Sequence, residues 1–171
     1  MGIMELDNLG LNGKNVVVVG ASYAGKNTFL SKVMEPAGYK VFSLGEILRG
    51  LGKPHGTVMT FDEIAGVVRD EVLSKVGEGE KFALGVFFRT PGMFDVFRMC
   101  GLDGGNTAAV EIDDSRIGRT DFPERPGRPD DSEVLEKRRI WNENRSAIMA
   151  RLSALGIPVK TLYAHDWTFD E

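Results

Sequence analysis

Nine consecutive residues, Gly20-Ala21-Ser22-Tyr23-Ala24-Gly25-Lys26-Asn27-Thr28, follow the pattern G-x-x-x-x-G-K, with Asn27 where Ser or Thr is usual. Two glycines permit a tight backbone that can turn amide N–H groups toward one point, and a lysine closing such a loop can reach the β- and γ-phosphates of a nucleotide. The chemistry this suits is phosphate binding. Arginines point the same way: eight of the 12 fall between Arg116 and Arg151, while Arg49 and Arg89 stand apart earlier in the chain. Phosphoryl transfer is mainly positioning and charge stabilisation, so it needs several convergent guanidiniums and little covalent machinery. Residues 115–129 mix Arg, Gly and Pro without apolar periodicity. They read as a mobile loop able to cover phosphates and exclude water.

Those residues need a scaffold, and the pattern supplies one. The valines at 16–19 read as a strand buried on both faces, central in a parallel sheet. Residues 26–35 carry Phe29, Leu30, Val33 and Met34 at helical spacing and stop at Pro36. A second strand is expected at 39–42 and a short helix at 44–51. Thr60 to Glu63 has the form of a capping box opening a helix, with Ile64, Val68, Val72 and Val76 on its apolar face. A third strand at 82–88 precedes a helix from Thr90-Pro91 with Met93, Val96, Phe97 and Cys100 inward. A fourth strand at 107–112, a long helix marked by Val134, Trp141, Ile148, Leu152 and Leu155 and closed by Gly156, and a last strand at 158–163 complete the chain. Alternating strands and helices imply one α/β domain with three layers around a parallel sheet of about five strands.

Composition narrows the class. With 171 residues, 42% hydrophobic and 27% charged, the chain has the make-up of one globular domain rather than a disordered or fibrous protein. Its net charge of -4 gives no electrostatic reason to expect nucleic acid or an anionic membrane as partner. A single cysteine, Cys100, precludes an internal disulfide. The apolar run at 16–19 is far too short for a spanning helix, and a cytoplasmic location is expected. His55 and His165 form no spaced pair, so no side-chain metal site is expected; Asp113-Asp114 reads as a cap or turn, and Trp141 and Trp167 as packing residues.

Gly-Lys-x-Thr at Gly25 to Thr28 resembles the loop of the P-loop nucleoside monophosphate kinase superfamily, in particular adenylate kinases and phage deoxynucleoside monophosphate kinases. Ser43-Leu44-Gly45-Glu46-Ile47-Leu48-Arg49 is similar to the adenylate kinase segment Ser-Thr-Gly-Asp-Leu-Leu-Arg, Phe88-Arg89-Thr90 to its Pro-Arg-Thr element, and Arg128-Pro129-Asp130-Asp131 with Arg139 to its Arg-x-Asp-Asp and the arginine eight residues on. The resemblance implies a P-loop kinase fold with a short Arg-rich lid at roughly 115–129. It implies ATP phosphates on Gly20, Ala21, Ser22, Tyr23, Ala24, Gly25, Lys26, Asn27 and Thr28, and the acceptor on Arg49 and Arg89 with Glu46 nearby. Lys26, Arg128 and Arg139 would serve the transferring group, with ATP and Mg2+ as cofactors and small-molecule nucleotides as substrates. The third strand ends Leu84-Gly85-Val86-Phe87-Phe88-Arg89, without the acid found there in adenylate kinases.

The function expected is ATP-dependent phosphoryl transfer to a nucleoside or deoxynucleoside monophosphate. Transfer to another small acceptor or a modified DNA base, and nucleotide binding without turnover, are the alternatives. A GTPase is disfavoured because no Asn-Lys-x-Asp guanine-reading motif occurs.

Overall fold

The valine run sits at the centre of the fold. The computed structural model describes residues 11, 13–53, 59–118, 121–126 and 132–164, and in it β1 (Asn15–Gly20) has Val16, Val17, Val18 and Val19 wholly buried. Arg128, His55, His165 and Trp167 lie outside the described residues. β1 pairs in parallel with β3 (Phe82–Gly85) on one side, Val16 opposite Ala83, and with β4 (Thr107–Asp113) on the other, Gly20 opposite Ile112. β2 (Lys40–Ser43) adds outside β3, and β5 (Val159–Tyr163) outside β4, giving the order β2-β3-β1-β4-β5. Strands with neighbours on both sides and helices over their faces read as continuous apolar runs, which is why β1 was legible as a central strand.

Among the described residues five α-helices accompany the sheet: α1 (Lys26–Phe29), α2 (Leu44–Gly50), α3 (Phe61–Glu71), α4 (Asp95–Met99) and α5 (Val134–Ala154). The β1 to β2 connection runs toward one edge of the sheet and the other three run toward the opposite edge. Right-handed crossovers therefore put α1 on one face and α3, α4 and α5 on the other. This is an α/β fold around an all-parallel five-stranded sheet, compatible with three layers. No described helix is long and apolar enough to cross a membrane.

Three elements differ from the sequence expectation. The helix expected to carry Val72 and Val76 on its face stops at Glu71, and a 3-10 turn over Leu73–Lys75 follows, so both valines lie beyond the helix. The helix expected over 26–35 changes at Leu30 to a π-helical turn spanning Leu30–Met34, marked by the Glu35 N–H donating to the Leu30 carbonyl at 2.9 Å. The third strand ends at Gly85 instead of Phe88. Its partner β2 gives way to α2 after Ser43, so beyond Gly85 only one neighbour remains, and Val86 N–H still bonds the Val18 carbonyl at 3.0 Å. Phe88 stays buried by another route, packing edge-on against Phe94 at a 5.4 Å ring separation.

The capping box forms as read. Thr60 Oγ1 accepts from the Glu63 N–H and Glu63 Oε1 accepts from the Thr60 N–H, both at 3.1 Å. Thr60→Ala should therefore lower stability by about 1 kcal/mol, the usual cost of a lost N-cap, read as a lower urea midpoint at unchanged slope. The Thr60 N–H holds the exposed Glu63 carboxyl below its ordinary pKa. Its contribution is thus present above the ordinary carboxylate value and is lost as pH falls through the lower folded one. An unchanged midpoint for the variant would show that the box adds nothing.

Candidate functional site at the carboxyl ends of the strands

Because all five strands run the same way, their carboxyl ends share one rim. The chain leaves β1 toward β2 and leaves β4 toward β5, so the connections diverge between these two neighbours. Ligand crevices of open parallel sheets lie at such a point.

The glycine loop emerges here. Gly20 has φ +152, and a methyl group on it would stand 2.6 Å from the Ile112 carbonyl oxygen of β4, so only glycine fits the passage between the strands. Gly25 takes a left-handed conformation, φ +103, immediately before α1. Tyr23 also has a positive φ, +66, a conformation in which a non-glycine residue is strained. Lys26, expected to stand exposed, is half-buried and turns back over the loop, its Nζ donating to the carbonyls of Gly20 and Ala21 at 2.8 Å each.

The arginine-rich segment after β4 touches this loop. Tyr23 Oη donates to the Pro123 carbonyl, its ring meets Phe122 edge-on at 5.5 Å, and the Arg125 guanidinium lies 3.9 Å from its centroid. A segment with almost no apolar residues uses the one aromatic it has, Phe122, as an anchor. Arg116 stacks 3.3 Å above the Tyr163 ring at the end of β5.

The two neighbouring arginines of α5 go different ways. Arg139, expected to serve the transferring group, is held on the exposed face of the helix by Glu136 and Glu143 and is not brought to the loop. Those two carboxylates raise its pKa further. Arg138, by contrast, points inward. It donates to the Ser22 carbonyl at 2.5 Å and to Asp114 Oδ1 at 2.7 Å, with its guanidinium 4.7 Å from the Phe122 centroid. The physical reason is helix phase: residues one apart differ by about 100° around the axis, so only one of the pair can face the sheet.

On the β2 and β3 side lie Arg49, in the last turn of α2, and Arg89, beyond the end of β3. A methyl group built on Gly45 would lie 3.5 Å from Arg49 Nη1 and 4.0 Å from the Phe87 ring, while Arg89 donates to the Phe87 carbonyl at 3.3 Å. Glu46 is exposed in the first turn of α2, where its N–H meets the Ser43 cap at 3.5 Å.

On the β4 and β5 side lies a cavity of about 430 Å3, whose wall includes Ala21, Glu111, Asp114, Arg138, Trp141 and Tyr163. That is within the range of roughly 300–1,000 Å3 usual for small-molecule sites. Its back is braced by Arg145, which grips buried Glu111 through two bonds of 2.5 and 2.6 Å, while Thr161 Oγ1 donates to the same carboxylate at 2.8 Å. The Glu111 carboxylate raises the Arg145 pKa above its ordinary value. Asp113 and Asp114, adjacent in sequence, separate in role: Asp113 accepts from the Ser115 N–H at 2.8 Å, a turn as expected, whereas Asp114 turns inward to Arg138. Among the described residues no group of three His, Cys, Asp or Glu is placed to hold a metal. The cavity wall, Asp114 and Arg138 were missed by the sequence reading; the two consecutive arginines at 138 and 139 were the available signal.

No protein-family model and no curated protein matches this chain.

Proposed function

We propose that this protein is an ATP-dependent kinase that transfers a phosphoryl group to a nucleoside or deoxynucleoside monophosphate. The observation that carries the reading is the loop from Gly20 to Lys26, with two glycines in conformations other residues resist, leaving the central strand at the divergence of the connections. Around it, guanidiniums stand on both sides. Arg49, in the last turn of α2, and Arg89, beyond the end of β3, would grip the acceptor phosphate. The cavity toward β4 and β5 has room for the donor nucleoside. Arg138, already at the loop, takes the part the family resemblance gave to Arg139. Lys26 would exchange its two carbonyl partners for phosphate oxygens when ATP arrives, which exchanges neutral acceptors for charged ones. ATP would enter as its magnesium complex, the ion carried on its own phosphates. The acceptor's phosphate oxygen is the nucleophile, so the protein needs no strong general base.

A panel of ribo- and deoxynucleoside monophosphates with ATP and magnesium, scored for diphosphate formation, tests this reading. Transfer to one of them supports it, and absence of ATP binding overturns it. The reading of a nucleotide-binding protein without turnover is favoured by one feature, the lack of an acid at the end of β3. It predicts ATP binding without transfer to any acceptor.

The acceptor arginines give a further expected result. Arg49→Ala should raise the acceptor KM roughly tenfold or more, in line with about 1.5–3 kcal/mol for a charged hydrogen bond, with a smaller change in kcat. Arg89→Ala should behave alike. A pure kcat effect at either position would remove it from acceptor binding.

A further inference from the structure

Asp114 combines three features that a simple turn residue does not need. Its side chain is 4% exposed, it faces the cavity beside the loop, and it forms an ion pair with a residue that also holds the loop. Oδ1 receives Arg138 Nη2 at 2.7 Å; Oδ2 is buried and has no hydrogen-bond donor among the described residues. A carboxylate facing a guanidinium is ordinarily satisfied by two parallel bonds. Here the second bond is not made, because Arg138 Nη1 is spent on the Ser22 carbonyl at 2.5 Å. The guanidinium is planar, so fixing Nη2 on Asp114 fixes where Nη1 points. Leaving one oxygen of a buried carboxylate unpaired is unfavourable, so this geometry is poor for stability and good for aim.

We infer that Asp114 is a positioning residue for Arg138: it holds the guanidinium by one edge so that the other stays at the phosphate loop. This rests on the kinase reading above. The aimed edge secures the Ser22 carbonyl of the loop. With nucleotide bound, the same edge is within a small rotation of the phosphate oxygens while Asp114 keeps its hold. Asp114 itself touches no substrate in this scheme.

The test is a double-mutant cycle on Asp114→Asn and Arg138→Ala, reading kcat, KM for ATP and the thermal midpoint. Asp114→Asn keeps the shape but loses the charge that aims Arg138. It should lower kcat roughly 10- to 100-fold, as misplacing a reacting-site group does, with little change in KM. In the Arg138→Ala background the same substitution should change kcat by less than about twofold, because its effect runs through Arg138. A merely structural Asp114 would lower the thermal midpoint, leave kcat per folded molecule unchanged and add its cost in both backgrounds; that result overturns the inference. Should Asp114→Asn not fold, Arg138→Lys decides. It keeps a cation beside Asp114 without a second directed edge, so kcat should fall, and wild-type kcat would overturn the inference. Wild-type protein that transfers no phosphoryl group would sink the kinase reading, whereas active wild type with an unaffected Asp114→Asn sinks only the positioning role.

Discussion

Lys26→Ala should lower kcat by about 100-fold or more, comparable to removing a main electrostatic contact from a transition state. In the empty loop the ammonium bonds two loop carbonyls at 2.8 Å, so it already sits where the phosphates would lie and needs only a side-chain rotation to meet them. Its charge counts most when negative charge shifts between donor and acceptor oxygens, which places the loss in kcat. The fold should survive, because Lys26 is only half-buried and its partners are neutral loop carbonyls rather than a buried carboxylate. Steady-state kinetics with the thermal midpoint as control decides this. A folded variant with near-normal turnover would end the assignment of the loop to phosphate.

Gly20→Ala should be a severely destabilising single-methyl change. The new Cβ would meet a backbone oxygen of the adjacent strand at 2.6 Å, and a backbone atom within the central β1–β4 ladder has no flexible end to swing aside. The left-handed φ adds its own strain. A loss of about 3 kcal/mol or more is expected, corresponding to a midpoint lowered by roughly 6–12 °C in a chain of this size. Gly38→Ala provides the internal comparison. It also has positive φ, +96, but open space within 4 Å of the new methyl, so it should lose only about 1 kcal/mol. Equal losses at the two positions would show that the close approach to Ile112 is relieved by shifting β4.

How far the sequence led depends on how locally each feature is determined. β1, the capping box and the glycine loop are set by neighbours within a few residues, and each was readable with boundaries within about two residues of those observed. The choice between Arg138 and Arg139 was not. It depends on the phase of α5, whose buried positions are Val134, Lys137, Trp141, Ile148 and Leu152. A buried lysine in that series breaks the apolar rhythm, and counting eight residues from Asp131 lands on the exposed face. Asp114 was invisible for a different reason: its partner lies 24 residues away in the sequence. The π-helical turn at Leu30–Met34 left no composition signal either.

The strand order has a consequence for synthesis of the chain. β1 is the first strand made, yet both its neighbours, β3 and β4, come later, and its ladder with β4 is complete only when Ile112 is available. About ninety residues separate the two, so at the usual 5–20 residues per second the ribosome needs roughly 5 to 18 seconds to supply the missing neighbour. During that interval a stretch of four valines, uncharged and strongly β-prone, has at least one hydrogen-bonding edge open, which is the condition under which nascent chains associate with one another. Yield in cells should therefore depend on translation speed between residues 20 and 113 and on chaperones that shield extended apolar segments, more than on the stability of the finished fold.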